Sequence, residues 1–163
     1  MKKTTFLGVL VFVVVGLPMM VADQAPPAVV SVPSELKRVV VMRFKYNTDL
    51  LDGLQQAVKD RKIKNAVILS GVGSVTSYHV HAVSSTTLPA TLAYSTHQGP
   101  MDLIAVDGYV LGGRIHAHIT MTDDKKAFGG HLHEGTKVFT FAIITLGVLG
   151  DNIDLSRFDD WKW

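Results

Sequence analysis

Residues 114–134 constrain this chain more than any other stretch. Polar and apolar residues alternate without a break in Arg114-Ile115-His116-Ala117-His118-Ile119-Thr120. Period-two alternation of this kind marks a strand with one buried face. Ile115, Ala117 and Ile119 then point into a core, while Arg114, His116, His118 and Thr120 share the other face. Asp123-Asp124-Lys125-Lys126 reads as a turn, and Ala127 to Glu134 returns as a second strand. Centring the hairpin between Asp124 and Lys125 sets His118 opposite His131 and His116 opposite His133. Opposed residues share a face with Cβ atoms about 4.5–5.5 Å apart. Three or four imidazoles therefore converge within reach of one ion. An odd-length loop, or a bulge at Gly129-Gly130, would shift this register.

The chain has no cysteine, so a metal held there has an all-nitrogen protein shell, with a carboxylate or water as the only additions. Neutral imidazole suits zinc, and also nickel, copper and iron. Three histidines with an open position is the arrangement of catalytic zinc, although geometry alone does not make an enzyme. The competing reading is a set of surface histidines on a solvated sheet face. Two facing pairs on one hairpin favour the divalent metal, with His116, His118, His131 and His133 as candidate ligands. His79-Val80-His81 repeats the His-x-His form without a partner strand that arithmetic can fix. It is a second shell, a second site or a polar face. His97 is placed in a loop as an ordinary surface histidine.

The remaining pattern gives an α+β fold with a mainly antiparallel sheet and one substantial amphipathic helix. Arg38 to Tyr46 reads as a strand. Asn47-Thr48 offers a helix cap, and Leu50, Leu51, Leu54 and Val58 follow at helical spacing. Further strands are expected at Ala66 to Ser70, Tyr78 to Val83, Thr91 to Thr96, Met101 to Leu111 and Lys137 to Leu149. The last is long and apolar enough for a central position or one at a subunit interface. Gly71-Val72-Gly73-Ser74 lacks the third glycine and following helix of a dinucleotide fingerprint, and reads as a tight turn. No Gly-x-Ser-x-Gly elbow is present, and the downstream glutamate of a cupin-like His-x-His site is missing.

Residues 1–22 read as a signal peptide: Lys2-Lys3, an apolar run from Phe6 to Leu17, Pro18, then small residues up to Ala22. The run is shorter than the ~20 residues of a spanning helix, so export to the periplasm or medium is expected, with an uncleaved anchor as the alternative. Residues 23–35, with Pro26, Pro27 and Pro33, form a linker. The folded domain spans 36–150, and the tail 151–163 has no assignment. The 16 basic and 14 acidic residues include only Lys2 and Lys3 within the signal. The mature chain is thus neutral, with no global field to attract a phosphate backbone. No membrane association is expected after signal cleavage.

Gly71-Val72-Gly73-Ser74-Val75, Asp102-Leu103-Ile104, His116-Ala117-His118 and Gly129-Gly130-His131-Leu132, in this order, resemble the PPC (plants and prokaryotes conserved) domain, which plants attach to AT-hook motifs. The resemblance covers residues 36 to 149 and implies an α+β homotrimer. It also implies a divalent-metal site, carried over to His116, His118 and His131, and allows the Gly71–Ser74 segment a place near the trimer cleft. Asp102 stands where the family often has glutamate. A DNA-binding label travels with the family, but this chain has no Arg-Gly-Arg-Pro hook. Its one basic cluster, at Lys59, Arg61, Lys62 and Lys64, suits a helix C-terminus.

Three functions remain open. The favoured one is an exported homotrimer holding a divalent metal, zinc first among the candidates, and a small-molecule ligand in a subunit cleft. The second is a metal-dependent enzyme in which the ion activates water, with Glu134 or Asp102 as the general base. The third is a DNA-binding or protein-scaffolding trimer.

Overall fold

The computed structural model describes residues 28–162. The expected signal peptide, and the linker as far as residue 27, lie outside them. Residues 28–35 are exposed and carry no regular structure. The compact unit begins at Val32.

Alternation sets the first strand, β1 (Leu36–Lys45): Met42 and Phe44 are buried, while Val39, Val41, Arg43 and Lys45 face outward. The chain then reverses at Asn47, whose φ of 63° is a turn conformation. This is why Asn47-Thr48 does not cap the helix. The N-cap of α1 (Leu50–Asp60) is Asp49, whose carboxylate accepts from the Asp52 amide. Asp49 also accepts from the Gly135 N–H at 2.7 Å and pairs with Lys137. One buried carboxylate thus joins the helix start to a distant turn. Leu50, Leu54 and Val58 bury the apolar stripe of α1 in the main core beside Phe44, Val106, Ile119 and Ile144.

Five more strands follow: β2 (Ala66–Val83), β3 (Leu92–Leu111), β4 (Arg114–Thr122), β5 (Ala127–Leu132) and β6 (Lys137–Leu149). They form an antiparallel sheet of order β1-β6-β2-β3-β4-β5. The sheet bends until β5 pairs again with the far half of β2. Strands β2 to β5 thereby close into a ring, and β6 lies between β1 and β2 as its apolar length implied. Among the described residues no helix is long and apolar enough to cross a membrane.

Two expectations fail at glycines. Ala66–Ser70 and Tyr78–Val83 are one strand, and Thr91–Thr96 and Met101–Leu111 are another. Gly71-Val72-Gly73-Ser74 is therefore not a turn. Its glycines mark register shifts and close approaches within β2: a Cβ on Gly73 would collide with the Phe141 carbonyl and Ala142 of β6. His97 lies on β3 opposite Tyr78, not in a loop.

The tail is docked. Ile153 and Leu155 bury themselves with Leu111 and Leu149 in a second small core. Fully buried Asn65 holds them there: its amide donates to the Ile153 carbonyl at 3.0 Å and accepts from the Gly112 N–H at 3.1 Å.

Candidate metal centre

Strand β4 supplies His116 and His118, and β5 supplies His131. The β4–β5 ladder runs without a bulge from Thr122↔Ala127 to His118↔His131, which is the register expected from the hairpin. Gly129 and Gly130 keep it regular because a Cβ on Gly129 would run into the Ile119 carbonyl, and one on Gly130 into that of His81. These glycines let β5 fit between β4 and β2.

The ladder ends before the second expected pair. His116 opposes Tyr109 of β3, not His133. Beyond Leu132 the chain leaves β4 and follows β2, where the His133 N–H donates to the His79 carbonyl at 3.0 Å. The His133 ring goes with it, and its Nε2 lies 2.6 Å from Nδ1 of His81.

One donor nitrogen each from His116, His118 and His131 lies within 4.8 Å of the others, a group that could hold a metal ion. The His131 ring stands nearly perpendicular to both β4 rings, with centroids 4.8 Å from His116 and 5.1 Å from His118. Zinc–nitrogen bonds of about 2.1 Å in a tetrahedral shell space the donors by roughly 3.4 Å, so small ring rotations close the group onto an ion.

The tautomer of His116 is fixed. A carboxylate can only accept, so Nδ1–H of His116 donates to Asp159 at 3.1 Å. That leaves Nε2 with its lone pair, the carboxylate–histidine arrangement that orients metal ligands. Asp159 is held in turn by both terminal nitrogens of Arg114, at 2.8 and 3.2 Å. The Arg114 hydrogen bond, opposed by burial and aided by His116, keeps the Asp159 carboxyl below its ordinary range. Sequence reasoning missed Asp159. It sits in the unassigned tail, 43 residues from His116, and no periodicity points to it.

His131 and His118 are held neutral. Burial, then the charges that His116, His81, His118 and His133 would carry, pushes His131 down to about 4. Burial first, then His116 and His81, lowers His118. Neutral imidazole is the form that ligates.

The two carboxylates named as general bases stand elsewhere. Asp102 opposes Thr122 and lines a groove with Val72 and Ile104. Glu134 offers the cluster its backbone carbonyl, which accepts from His79. The acids that line the histidine cavity are Asp107, the β3 neighbour of His118, and Asp159. That cavity, of about 680 Å³, also has Ser34, Tyr109, Leu111, Leu149, Ile153 and Leu155 in its wall.

Residues 32–150 match the Plants and Prokaryotes Conserved (PCC) domain. The chain belongs to this family. The PCC fold is shared with a plant- and prokaryote-conserved protein of Pyrococcus horikoshii at 24% identity and a TM-score of 0.65, covering 77% of this chain and 89% of that one. A metal-containing protein of Archaeoglobus fulgidus has 20% identity and a TM-score of 0.65, over 74% of this chain and 86% of its own. A Bacteroides thetaiotaomicron structure with a provisional DNA-binding label has 15% identity and a TM-score of 0.62, over 74% and 83%. No curated protein matches this PCC chain.

Proposed function

We propose that this PCC-domain protein is an exported homotrimer whose three-histidine centre binds a divalent metal, zinc by preference, beside a cavity for a small ligand. One observation carries the reading: three imidazole donors converge, and one of them has its second nitrogen tied to a carboxylate that leaves the ligating nitrogen bare. The all-imidazole donor set suits zinc and its transition-metal neighbours over calcium or magnesium. The metal-containing relative from Archaeoglobus supports the same reading. Its test is elemental analysis of protein purified without a histidine tag, beside His118→Ala. Stoichiometric zinc that falls by one ion per chain in the variant is expected. A parent protein that takes up no ion when zinc is offered refutes it.

Self-association rests on the outer face of the sheet. Val39 and Val41 of β1, Leu69 and Val72 of β2, Ile104 of β3, and Phe141 of β6 are all exposed there. Monomers rarely leave so broad an apolar face in water. Light scattering should return three times the chain mass.

The cavity volume beside His116 and His118 lies in the range of small-molecule sites, roughly 300–1,000 Å³. Export rests on the charged, apolar and small-residue layout of residues 1–22. DNA binding is the reading that the label on the Bacteroides relative favours. The neutral mature charge weighs against it, and retention on DNA that falls with salt would restore it.

A further inference from the structure

His131 has two cross-strand partners: His118 on β4 and His81 on β2. The closure of the ring therefore extends the cluster past the three-histidine centre. From His131 the rings continue to His81 at 4.6 Å, His133 at 4.9 Å from His81, and His79 at 4.8 Å from His133. Tyr94 of β3 lies against all three of these further rings, at 5.3–5.8 Å. The metal centre described above uses none of them.

Two of these rings bring nitrogens face to face, and the third is turned by a backbone carbonyl. His79 donates Nδ1–H to the Glu134 carbonyl at 2.9 Å. A carbonyl only accepts, so Nε2 of His79 keeps its lone pair. Thr136, fully buried, fixes this backbone: its hydroxyl accepts from the His79 N–H at 3.2 Å and donates to the His133 carbonyl at 3.2 Å. Nδ1 of His81 and Nε2 of His133 point at each other from 2.6 Å.

We propose that His81, His133 and His79 form a second divalent-metal site, so that one chain carries two ions side by side. In the metal-free protein one proton lies between His81 and His133. On binding it moves to the far nitrogen of the same ring, and both imidazoles stay neutral while their facing nitrogens take the ion. His79 Nε2 supplies the third protein donor, and water completes the shell. Mutual repulsion of the two dications makes this the weaker site, filled after the first. The site does not depend on the first centre, since it shares no ligand with it.

The test is zinc titration of the full chain, stripped with chelator and free of any histidine tag, by calorimetry with elemental analysis of the dialysed product. Two ions per chain, in two steps, are expected. His133→Leu and His81→Gln should each remove the weaker step and leave the tight one. His118→Ala should abolish the first site and leave one ion per chain at the second, bound more tightly than the parent's weaker step because the neighbouring dication is gone. Cobalt substitution gives a second readout: two additive visible spectra in the parent, one in each variant. Near-UV circular dichroism establishes that each variant is folded. A parent that saturates at one ion, or His133→Leu and His81→Gln proteins that still bind two, overturns the proposal. Saturation at one ion that only His118→Ala abolishes leaves the first centre standing and removes the second.

Discussion

Acid should unfold the metal-free protein over a window that histidine alone controls. In the folded chain His131 is held near 4 by burial and by its neighbours, against 6.5 when exposed. Between those values the unfolded chain binds a proton that the folded chain refuses, so stability falls as pH falls. Above 6.5 both states are neutral at this ring and it contributes nothing. From neutral pH down to about pH 5, linkage for His131 alone gives ~2 kcal/mol of lost stability, with a slope near 1.2 kcal/mol per pH unit. Part of the ring meets water, and screening brings the loss toward ~1 kcal/mol. His118, His81 and His133 are lowered by burial and by neighbouring charge, and they act in the same direction. Lowered carboxylates such as Asp159 act only below the ordinary Asp value of 3.8, outside this window.

The assay is urea unfolding at fixed protein concentration and several pH values, in chelator and in excess zinc. With chelator the midpoint should drop steadily from about pH 6.5 to 5. His131→Gln should flatten that drop. Zinc at a hundredfold its dissociation constant should add ~2.7 kcal/mol at neutral pH. The increment should shrink on acidification because protons compete for the same nitrogens. A chelator-treated protein equally stable at pH 7 and 5, or a His131→Gln protein with the parent slope, would refute the electrostatic account of the cluster.

Asp159→Ala should weaken zinc binding roughly 10–100-fold in competition with a chromophoric chelator, because His116 loses its orienting acceptor; unchanged affinity removes that role from Asp159. Asn65→Ala should cost about 1–3 kcal/mol in denaturant unfolding by stranding the Gly112 N–H and Ile153 carbonyl. Its amides near Ile153 should exchange faster than the parent's, and parental exchange there would show that packing alone holds the tail. Val41→Asp places a charge on the outer apolar face and should convert the proposed trimer to monomers by light scattering; an unaltered mass moves the proposed interface elsewhere.

What the sequence disclosed was local, and what it concealed was closure. The pairing of His118 with His131 was legible because a short turn fixes the parity of the hairpin. The pairing of His81 with His131 was not, since β2 and β5 meet only after the sheet has curled through β3 and β4. Glycine misled for a related reason. Gly71 and Gly73 read as a turn in one dimension, yet in the folded chain they are where β2 presses against Val106 of β3 and the backbone of β6. The same absence of Cβ serves at Gly130, which admits β5 against the His81 carbonyl. The glycines that looked like interruptions are thus the condition for the long curved strands, and the curvature is what brings a third strand of histidines to the first two. Asp159 shows the same limit. A carboxylate becomes part of the site only because Asn65 and a small apolar core return the tail to β4. Alternation can place a ligand on a face, but the partner that fixes its tautomer is chosen by tertiary contacts that alternation does not encode.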